Sequence, residues 1–282
     1  MNIENFPDSF DSTVDAGLAW LSDNGAGLFD TVNDVLKGIY EGLLWLFNLP
    51  PYYVVAVLIA LLGWRLAGPR FATATLIGML FCAFIGLWPE TMGTLALVVV
   101  ATLMALVVAI PLGVIAGLLP AMDRMIEPTL DLIQTMPPYI YLLPAIALLG
   151  YGTGTALIAT FIVALPPAFR LTSLGIRMTP NEFIELGNAS GVTGWQMFVK
   201  IRLPFAMPSI MAGINQSLMM AFGMVVIAGI VGSGGLGETI YGAIRTLDIA
   251  KSINAAIAIV ILTMVLDRLA QSAAAAQGGK RS

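Results

Sequence analysis

The chain has few reactive side chains. Its 282 residues include no histidine and one cysteine, Cys82, which lies in an apolar run and is interpreted as a small apolar residue. Histidine acid–base chemistry, Cys/His zinc sites and intrachain disulfides are therefore excluded. A phosphate-binding loop of the form G-x-x-x-x-G-K-S/T and a G-x-S-x-G nucleophile motif are also missing. The sequence thus predicts no catalytic residue, and no metal or cofactor bound by this chain.

Charge is also scarce. Charged residues make up 11% of the chain and hydrophobic residues 58%, whereas soluble domains carry about 25% charged residues. We therefore predict an all-α protein that crosses a membrane several times. The first residues are acidic and lack the basic start of a secretory signal peptide, so the spans themselves are expected to direct insertion.

The apolar runs predict about seven spans. They lie near residues 49–65, 71–88, 93–119, 139–152, 155–169, 209–232 and 254–271. The run at 139–152 has 14 residues, against about 20 for a straight span, and if it does not cross, the topology inverts from there on. The semi-polar segment 121–138 is predicted to be an interfacial helix on which Asp123, Glu127 and Asp131 form a solvated face.

Residues 1–48 form a distinct acidic region, expected outside the membrane. They contain eight of the seventeen acids and one base, Lys37. A short amphipathic helix is predicted near 16–21 and a second over 28–47, which either lies on the membrane surface or packs as an ordinary segment. Two accessory spans would follow in 49–89, then a five-span core over 90–271 and a cytoplasmic tail over 272–282.

A long polar stretch, residues 170–207, separates two of the predicted core spans. Its pattern predicts two short helices: Asn181 would cap the first, residues 191–194 would break it, and the second would run from Trp195 and stop before Leu203 and Pro204. Without a catalytic constellation, the stretch is interpreted as a docking surface; an ordinary amphipathic loop is the alternative.

This stretch carries a family motif. Glu185-Leu186-Gly187 is followed by Gly191, then by nine residues and Ile201-Arg202-Leu203-Pro204. The pattern resembles the E-A-A, three residues, G, nine residues, I-x-L-P loop of permease subunits in ATP-binding-cassette importers. The two alanines are replaced here by Leu186 and Gly187. The resemblance covers about residues 90–271, and TMPPYIYLLPAIALLGYGTG at 135–154 is similar to the glycine betaine, proline betaine and choline branch.

The resemblance implies a type I ABC importer permease, a polytopic helix bundle in a bacterial inner membrane that moves quaternary ammonium solutes such as betaine, choline or carnitine by alternating access. The implied partners are ATPase subunits that hold ATP and magnesium, a second permease copy, a periplasmic solute-binding protein and the lipid bilayer, with no nucleic acid. The coupling loop that docks on the ATPase would comprise Glu185, Leu186, Gly187, Ala189, Gly191, Ile201, Leu203 and Pro204. A permease for another small solute and a stand-alone secondary transporter are the alternatives, although ionisable residues are rare inside the spans.

Aromatic faces commonly hold quaternary ammonium groups, methionine offers an adaptable apolar lining, and amide side chains within a span are expected to face protein or the translocation path rather than lipid. The candidates are Tyr139, Tyr141, Asn215, Gln216, Met219 and Phe222, and for each of them packing within the bundle is an open alternative. The glycine-rich GSGGLG at 232–237 follows no predicted strand, so a dinucleotide site is not expected there. It is interpreted as a flexible external turn, or, from the resemblance, as a gate segment.

Charge bias gives an independent prediction of sidedness. Seven spans with an outer N-terminus leave three bases outside, Lys37, Arg245 and Lys251. The same topology places ten bases inside: Arg65, Arg70, Arg124, Arg170, Arg177, Lys200, Arg202, Arg268, Lys280 and Arg281. The positive-inside rule therefore predicts that the polar stretch and the C-terminus face the cytoplasm.

Overall fold

The protein is a bundle of helices. A computed structural model describes the backbone of residues 6–278 and the side chains of residues 11–273, and this part of the chain contains no strand. The helices are α1 (Phe6–Asn48), α2 (Tyr52–Ala67), α3 (Pro69–Phe84), α4 (Trp88–Leu118), α5 (Pro120–Thr135), α6 (Leu142–Leu149), α7 (Thr153–Arg177), α8 (Asn181–Ala189), α9 (Gly194–Met197), α10 (Leu203–Ala228), α11 (Gly235–Thr246) and α12 (Ile249–Gly278). Lys280 and Arg281, assigned to the cytoplasmic tail, lie outside the described residues.

The number of spans depends on how bent helices are counted. By length and apolar composition, four stretches can cross a membrane alone: Trp88–Leu118, Thr153–Arg177, Gly194–Val231 and Ile249–Ala273. Two bent pairs, α1 with α2 and α5 with α6, raise the number to six. Seven is reached only if the 16-residue apolar helix α3 also crosses. The predicted all-α polytopic bundle is confirmed, with its span number approximate.

The centre of the bundle consists of α4, α7 and α10, which approach one another closely at small residues. A Cβ on Gly113 of α4 would lie 2.7 Å from the carbonyl oxygen of Phe169 on α7. On the other side of α7, a Cβ on Gly175 would lie 3.1 Å from the carbonyl oxygen of Ala206 on α10. Small residues let helix backbones meet in this way, which favours association of helices within lipid. These three helices therefore form one tightly packed block.

The N-terminal region forms one helix of 43 residues instead of the two predicted. The glycines near position 25, which weaken helix propensity, do not interrupt it. Leu36 and Tyr40 are buried against the bundle, and the Asn33 amide donates to the carbonyl oxygen of Leu149 at 3.1 Å. Tertiary contacts of the C-terminal half thus hold α1 against the turn between α6 and α7.

The run at 139–152 does not form a span of its own. A 3₁₀ turn, Pro138–Tyr141, leads into α6, which has 8 residues and is about 12 Å long at 1.5 Å per residue. The pair of α5 and the turn with α6 is bent by 106° and can cross only as a single broken span. A broken span still crosses once, so the predicted order of sides is kept if this pair crosses.

Two further boundaries differ from the predictions. Helix α7 continues to Arg177, so residues 170–177, predicted to lie in the polar loop, are helical and their arginines are paired with α5. The glycine-rich connection is not a flexible turn, because residues from Gly235 form α11 and Leu236 and Gly237 are buried. The Leu236 amide donates to the Thr94 hydroxyl oxygen at 2.8 Å, which fixes the start of α11 on α4.

Candidate functional site

The residues of the predicted docking surface form a helical elbow, residues 181–202, between α7 and α10. Its first helix, α8, begins at Asn181, but the N-cap position belongs to Pro180 and no side chain caps the helix. The predicted capping by Asn181 is therefore wrong, because proline sets the extended backbone that precedes this helix. Glu182 lies in the first turn, where the positive end of the helix favours an acid.

Gly191 ends α8 in a Schellman motif. The Val192 amide donates to the carbonyl oxygen of Gly187 at 3.2 Å, and the Gly191 amide donates to that of Asn188 at 3.1 Å. Gly191 has φ of +69°, in the left-handed region, and a Cβ there would meet nothing within 4 Å. There is room for a side chain at position 191, so glycine is required for its backbone conformation. Another residue in the left-handed region would cost about 1–2 kcal/mol.

The second helix of the elbow starts with a capping box that the sequence analysis did not predict. The Gln196 amide donates to the Thr193 hydroxyl oxygen, and the Thr193 amide donates to the Gln196 side-chain oxygen. The T-x-x-Q spacing is the local signal that could have predicted it. Helix α9 begins at Gly194, which agrees with the predicted start at about Trp195.

The second helix does not stop before Leu203 and Pro204, as was predicted. A π-helical turn, Phe198–Arg202, joins α9 directly to α10, in which Pro204 lies in the first turn. Proline lacks an amide donor and clashes with the carbonyl four residues earlier, and a widened π turn accommodates both defects. The second arm of the elbow is consequently continuous with α10, which belongs to a stretch long and apolar enough to cross a membrane.

The two arms of the elbow cross at Gly187, which is buried. A Cβ on Gly187 would lie 2.7 Å from Met197 Cε and 2.8 Å from Ile201 Cδ1. Both atoms are the ends of flexible side chains, so a single methyl group can be accommodated and a larger side chain cannot. The glycine that replaces the second alanine of the family motif therefore occupies the crossing point, where the motif calls for a small residue.

The outer side of the elbow is apolar and exposed. Leu186 is 63% exposed and Trp195 73% exposed, and Phe183 and Val199 are also exposed, although the Phe183 ring packs against Phe205 of α10 with centroids 4.7 Å apart. Glu185 and Ala189 are exposed on α8, while Ile201, Leu203 and Pro204 are half-buried towards the bundle. The motif residues thus divide into an exposed set on α8 and a set that joins the elbow to α10. Exposed large apolar residues, two of them aromatic, are typical of a protein-binding surface.

Polar contacts tie α5 to the end of α7 beside the elbow. The Ser173 hydroxyl donates to Asp123 Oδ1 at 2.9 Å, and Arg177 Nη1 donates to Asp123 Oδ2 at 2.5 Å. Asp131 forms a second ion pair with Arg170. The predicted solvated face is therefore wrong for Asp123, which is only 7% exposed because α7 supplies partners far away in the sequence.

The six path candidates do not converge on one surface of the chain. Phe222 is buried in the core, and Tyr141 packs against the same core while its hydroxyl donates to the carbonyl oxygen of Ile133 at 2.8 Å. Gln216 and Met219 are exposed on one face of α10, and Tyr139 is exposed on the 3₁₀ turn. The remaining candidate is half-buried Asn215, whose side-chain oxygen is enclosed without a hydrogen-bond partner.

Residues 109–276 match the family model described as "Binding-protein-dependent transport system inner membrane component". The glycine betaine/proline betaine transport system permease protein ProW of Escherichia coli strain K12 is 39% identical over 262 residues, covering 93% of this chain and 74% of that protein. The glycine betaine transport system permease protein OpuAB of Bacillus subtilis strain 168 is 38% identical, covering 92% of each. The glycine betaine/carnitine transport permease protein GbuB of Listeria monocytogenes is 37% identical, covering 87% of this chain and 89% of that protein.

Solved structures show the same fold. An inward-facing structure of the MetNI methionine ABC transporter matches with a TM-score of 0.60 at 22% identity, covering 68% of this chain and 95% of that chain. A second inward-facing crystal form of that transporter matches with a TM-score of 0.53 at 24% identity, covering 65% and 90% respectively. At this level of identity the likeness concerns the architecture of the bundle.

Proposed function

Because the chain belongs to the family of binding-protein-dependent transport system inner membrane components, we propose that it imports glycine betaine or a related quaternary ammonium solute, driven by a separate ATPase. The exposed apolar surface of the elbow carries this proposal. In it, ATP and magnesium bind to the ATPase subunit, and this chain contributes binding and movement.

The ATPase would dock on Phe183, Leu186, Trp195 and Val199. Large aromatic residues dominate binding energy at interfaces when a partner buries them. Gly187 keeps α8 and α9 in contact, and the π turn continues α9 into α10. Closure of the ATPase would therefore turn the elbow and α10 together, which supports a coupling role.

Sidedness follows from this docking. The elbow would face the cytoplasm together with Arg65, Arg124 and Arg177, and the α6–α7 turn would face the outside with the N-terminus. This arrangement agrees with the positive-inside rule. It requires α5 and α6 to cross as one broken span.

A second copy of this chain would complete the translocation path. Ala212, Gln216, Met219 and Gly223 recur at helical spacing on one face of α10. Exposing an amide side chain to lipid in the middle of a span costs free energy, because lipid offers the amide no hydrogen-bond partner. Gln216 and Met219 are thus better suited to face a partner copy and the solute between the two than to face the bilayer.

The N-terminal helix would lie along the outer membrane surface. It is bent by 96° from α2, so it runs along the membrane plane if α2 crosses upright. One side of it is buried by the bundle at Leu36 and Tyr40. A second side carries exposed aliphatic residues, Val14, Leu21, Leu28, Val35 and Ile39, and a third carries Asp23, Asp30, Asp34 and Glu41. The aliphatic side would enter the bilayer and the acidic side would face water.

The solute class rests on the relatives. ProW, OpuAB and GbuB carry glycine betaine, proline betaine or carnitine in their names, and each of these solutes has a quaternary ammonium group. A periplasmic binding protein would select the solute and deliver it to the outer face.

Reconstitution in liposomes tests the proposal. The permease, its ATPase and its binding protein together should accumulate labelled glycine betaine when ATP is enclosed on the ATPase side, and omission of any one of them should abolish uptake. Trp195→Ala should reduce co-purification of the ATPase about tenfold or more, since it removes an aromatic anchor. Trp20→Ala is the matched control, because Trp20 is 64% exposed on α1 and should leave co-purification unchanged.

Uptake by the permease alone would contradict the proposal and favour a secondary transporter. Equal loss of the ATPase in both tryptophan variants would contradict the docking surface.

A further inference from the structure

The contact between α5 and α7 differs in kind from the contacts within the central block. Helix α7 meets α4 and α10 through glycines whose close neighbours are backbone atoms and Cβ atoms, which cannot rotate away if the helices shift past one another. Between α5 and α7 there is instead a cleft of about 160 Å³, lined by Asp123, Glu127, Leu130, Phe169, Arg170, Leu174 and Arg177. Beside the cleft, Ile126, Leu130 and Ile133 of α5 pack in one apolar cluster with Ala168 and Phe169 of α7, and two ion pairs add polar contacts between the same helices.

The two ion pairs are unequal. In the first pair the side chain of Asp123 is 10% exposed and that of Arg177 is 42% exposed, and the carboxylate also accepts a hydrogen bond from the Ser173 hydroxyl. In the second pair the side chains of Asp131 and Arg170 are 59% and 36% exposed, so the difference lies in the burial of the carboxylate. Exposed pairs are worth little, because water and salt screen them. Separating a buried pair leaves a desolvated carboxylate without a counter-charge, which is costly. The Asp123 contact is therefore the one that resists separation.

The Asp123 contact also occupies a position between two moving parts. Arg177 is the last residue of α7, and α8 of the elbow begins four residues later at Asn181. On the other side, α5 is the first half of the bent pair that continues into α6. The contact of Arg177 with Asp123 therefore connects the end of α7, next to the elbow, directly to α5.

We propose that Asp123 is a positioning residue for transport: by holding Arg177 and Ser173, it makes α5 move together with the end of α7 when the elbow moves. The broken span of α5 and α6 then follows the central block instead of lagging behind it. This role rests on the proposed function, since it requires a partner ATPase to move the elbow.

The ratio of ATP hydrolysed to solute imported by the reconstituted complex tests this role. Asp123→Asn should raise the ratio about five- to tenfold, because the elbow still moves while α5 no longer follows. Asp123→Glu, which keeps the charge, should restore part of the coupling. Asp131→Asn is the matched control on the same helix and should change the ratio less than about twofold.

Covalent rescue separates positioning from folding. In a Cys82→Ser background, Glu127→Cys and Leu174→Cys place two thiols on opposite walls of the cleft, where a short bis-thiosulfonate reagent can join them. The cross-link should leave uptake of the otherwise unmodified complex intact and should return the ratio of the Asp123→Asn complex towards normal. Both results are expected only if α5 and α7 travel as one unit.

Loss of uptake on cross-linking in the presence of Asp123 would overturn the inference, because it would mean that α5 and α7 must separate during transport. An unchanged ratio in Asp123→Asn would overturn it as well. If the unmodified complex hydrolyses ATP but imports no solute, the proposed function itself is wrong; if that complex imports solute and only the Asp123 results fail, the role of Asp123 alone is wrong.

Discussion

Replacing Gly187 with leucine should abolish uptake and stimulation of the ATPase while the protein remains inserted in the membrane. The first side-chain carbon would already lie 2.7 Å from Met197 Cε and 2.8 Å from Ile201 Cδ1. Leucine adds three more carbons, so α8 must lift away from α9, and overpacking of this kind costs about 1–3 kcal/mol. Because α8 lies outside the candidate spans and is largely exposed, this cost distorts the docking surface rather than the bundle. The measurements are solute uptake and ATP hydrolysis in proteoliposomes, each compared at equal amounts of inserted protein.

A size series makes the Gly187 experiment specific. Gly187→Ala should retain uptake within about twofold, because the ends of two flexible side chains can yield to one methyl group. Gly194→Ala is the matched control in the second arm, where a Cβ would meet nothing within 4 Å. Normal uptake by Gly187→Leu, or an equal loss in Gly194→Ala, would mean that the crossing of the two arms does not carry the coupling.

Replacing Gly229 with alanine should cause a large loss of stability, although it adds only one methyl group. Its Cβ would overlap the carbonyl group of Gly237 and lie 2.5 Å from the amide nitrogen of Glu238. These are backbone atoms at the first turn of α11, and they cannot rotate away. Helix α11 would have to detach from α10, which also strains the hydrogen bond from the Leu236 amide to Thr94.

We expect Gly229→Ala to lower the unfolding temperature of the detergent-solubilised protein by about 10 °C. Overpacking of this kind costs ~3 kcal/mol, and each kcal/mol lowers the unfolding temperature by about 2–4 °C. Gly242→Ala provides the control, since Gly242 lies on α11 and its Cβ would meet nothing within 4 Å. That variant should unfold within about 2 °C of the unmodified protein. Equal unfolding temperatures for the two variants would contradict the close approach of α10 and α11.

The features that could be predicted from the sequence are those with a local signal. Continuous apolar runs located α2, α4, α10 and α12 to within several residues, and the spacing of the motif located the elbow. Gly191, which ends α8 in the Schellman motif, was also predicted as a helix break, because glycine is common at the C-terminal ends of helices. The capping box at Thr193 had a local signal too and was missed.

The features that could not be predicted depend on distant partners. Helix α7 was predicted to end near residue 169, because Arg170 and Arg177 interrupt the apolar run, yet both arginines are neutralised by acids about forty to fifty residues earlier. Asp123 was predicted to be solvated, since nothing near it in the sequence indicates that it accepts a hydrogen bond from the Ser173 hydroxyl. Helix α1 likewise stays continuous through its glycines while its second half packs against the bundle.

The central claim is that the elbow lies in the cytoplasm, where an ATPase can reach it. Glu182→Cys places a thiol on exposed α8 and Tyr151→Cys places one on the exposed α6–α7 turn, each in a Cys82→Ser background. A membrane-impermeant maleimide should label Tyr151→Cys, and not Glu182→Cys, in intact spheroplasts, and the pattern should reverse in inside-out vesicles. Labelling of Glu182→Cys in intact spheroplasts would place the elbow outside and contradict the coupling of this chain to a cytoplasmic ATPase.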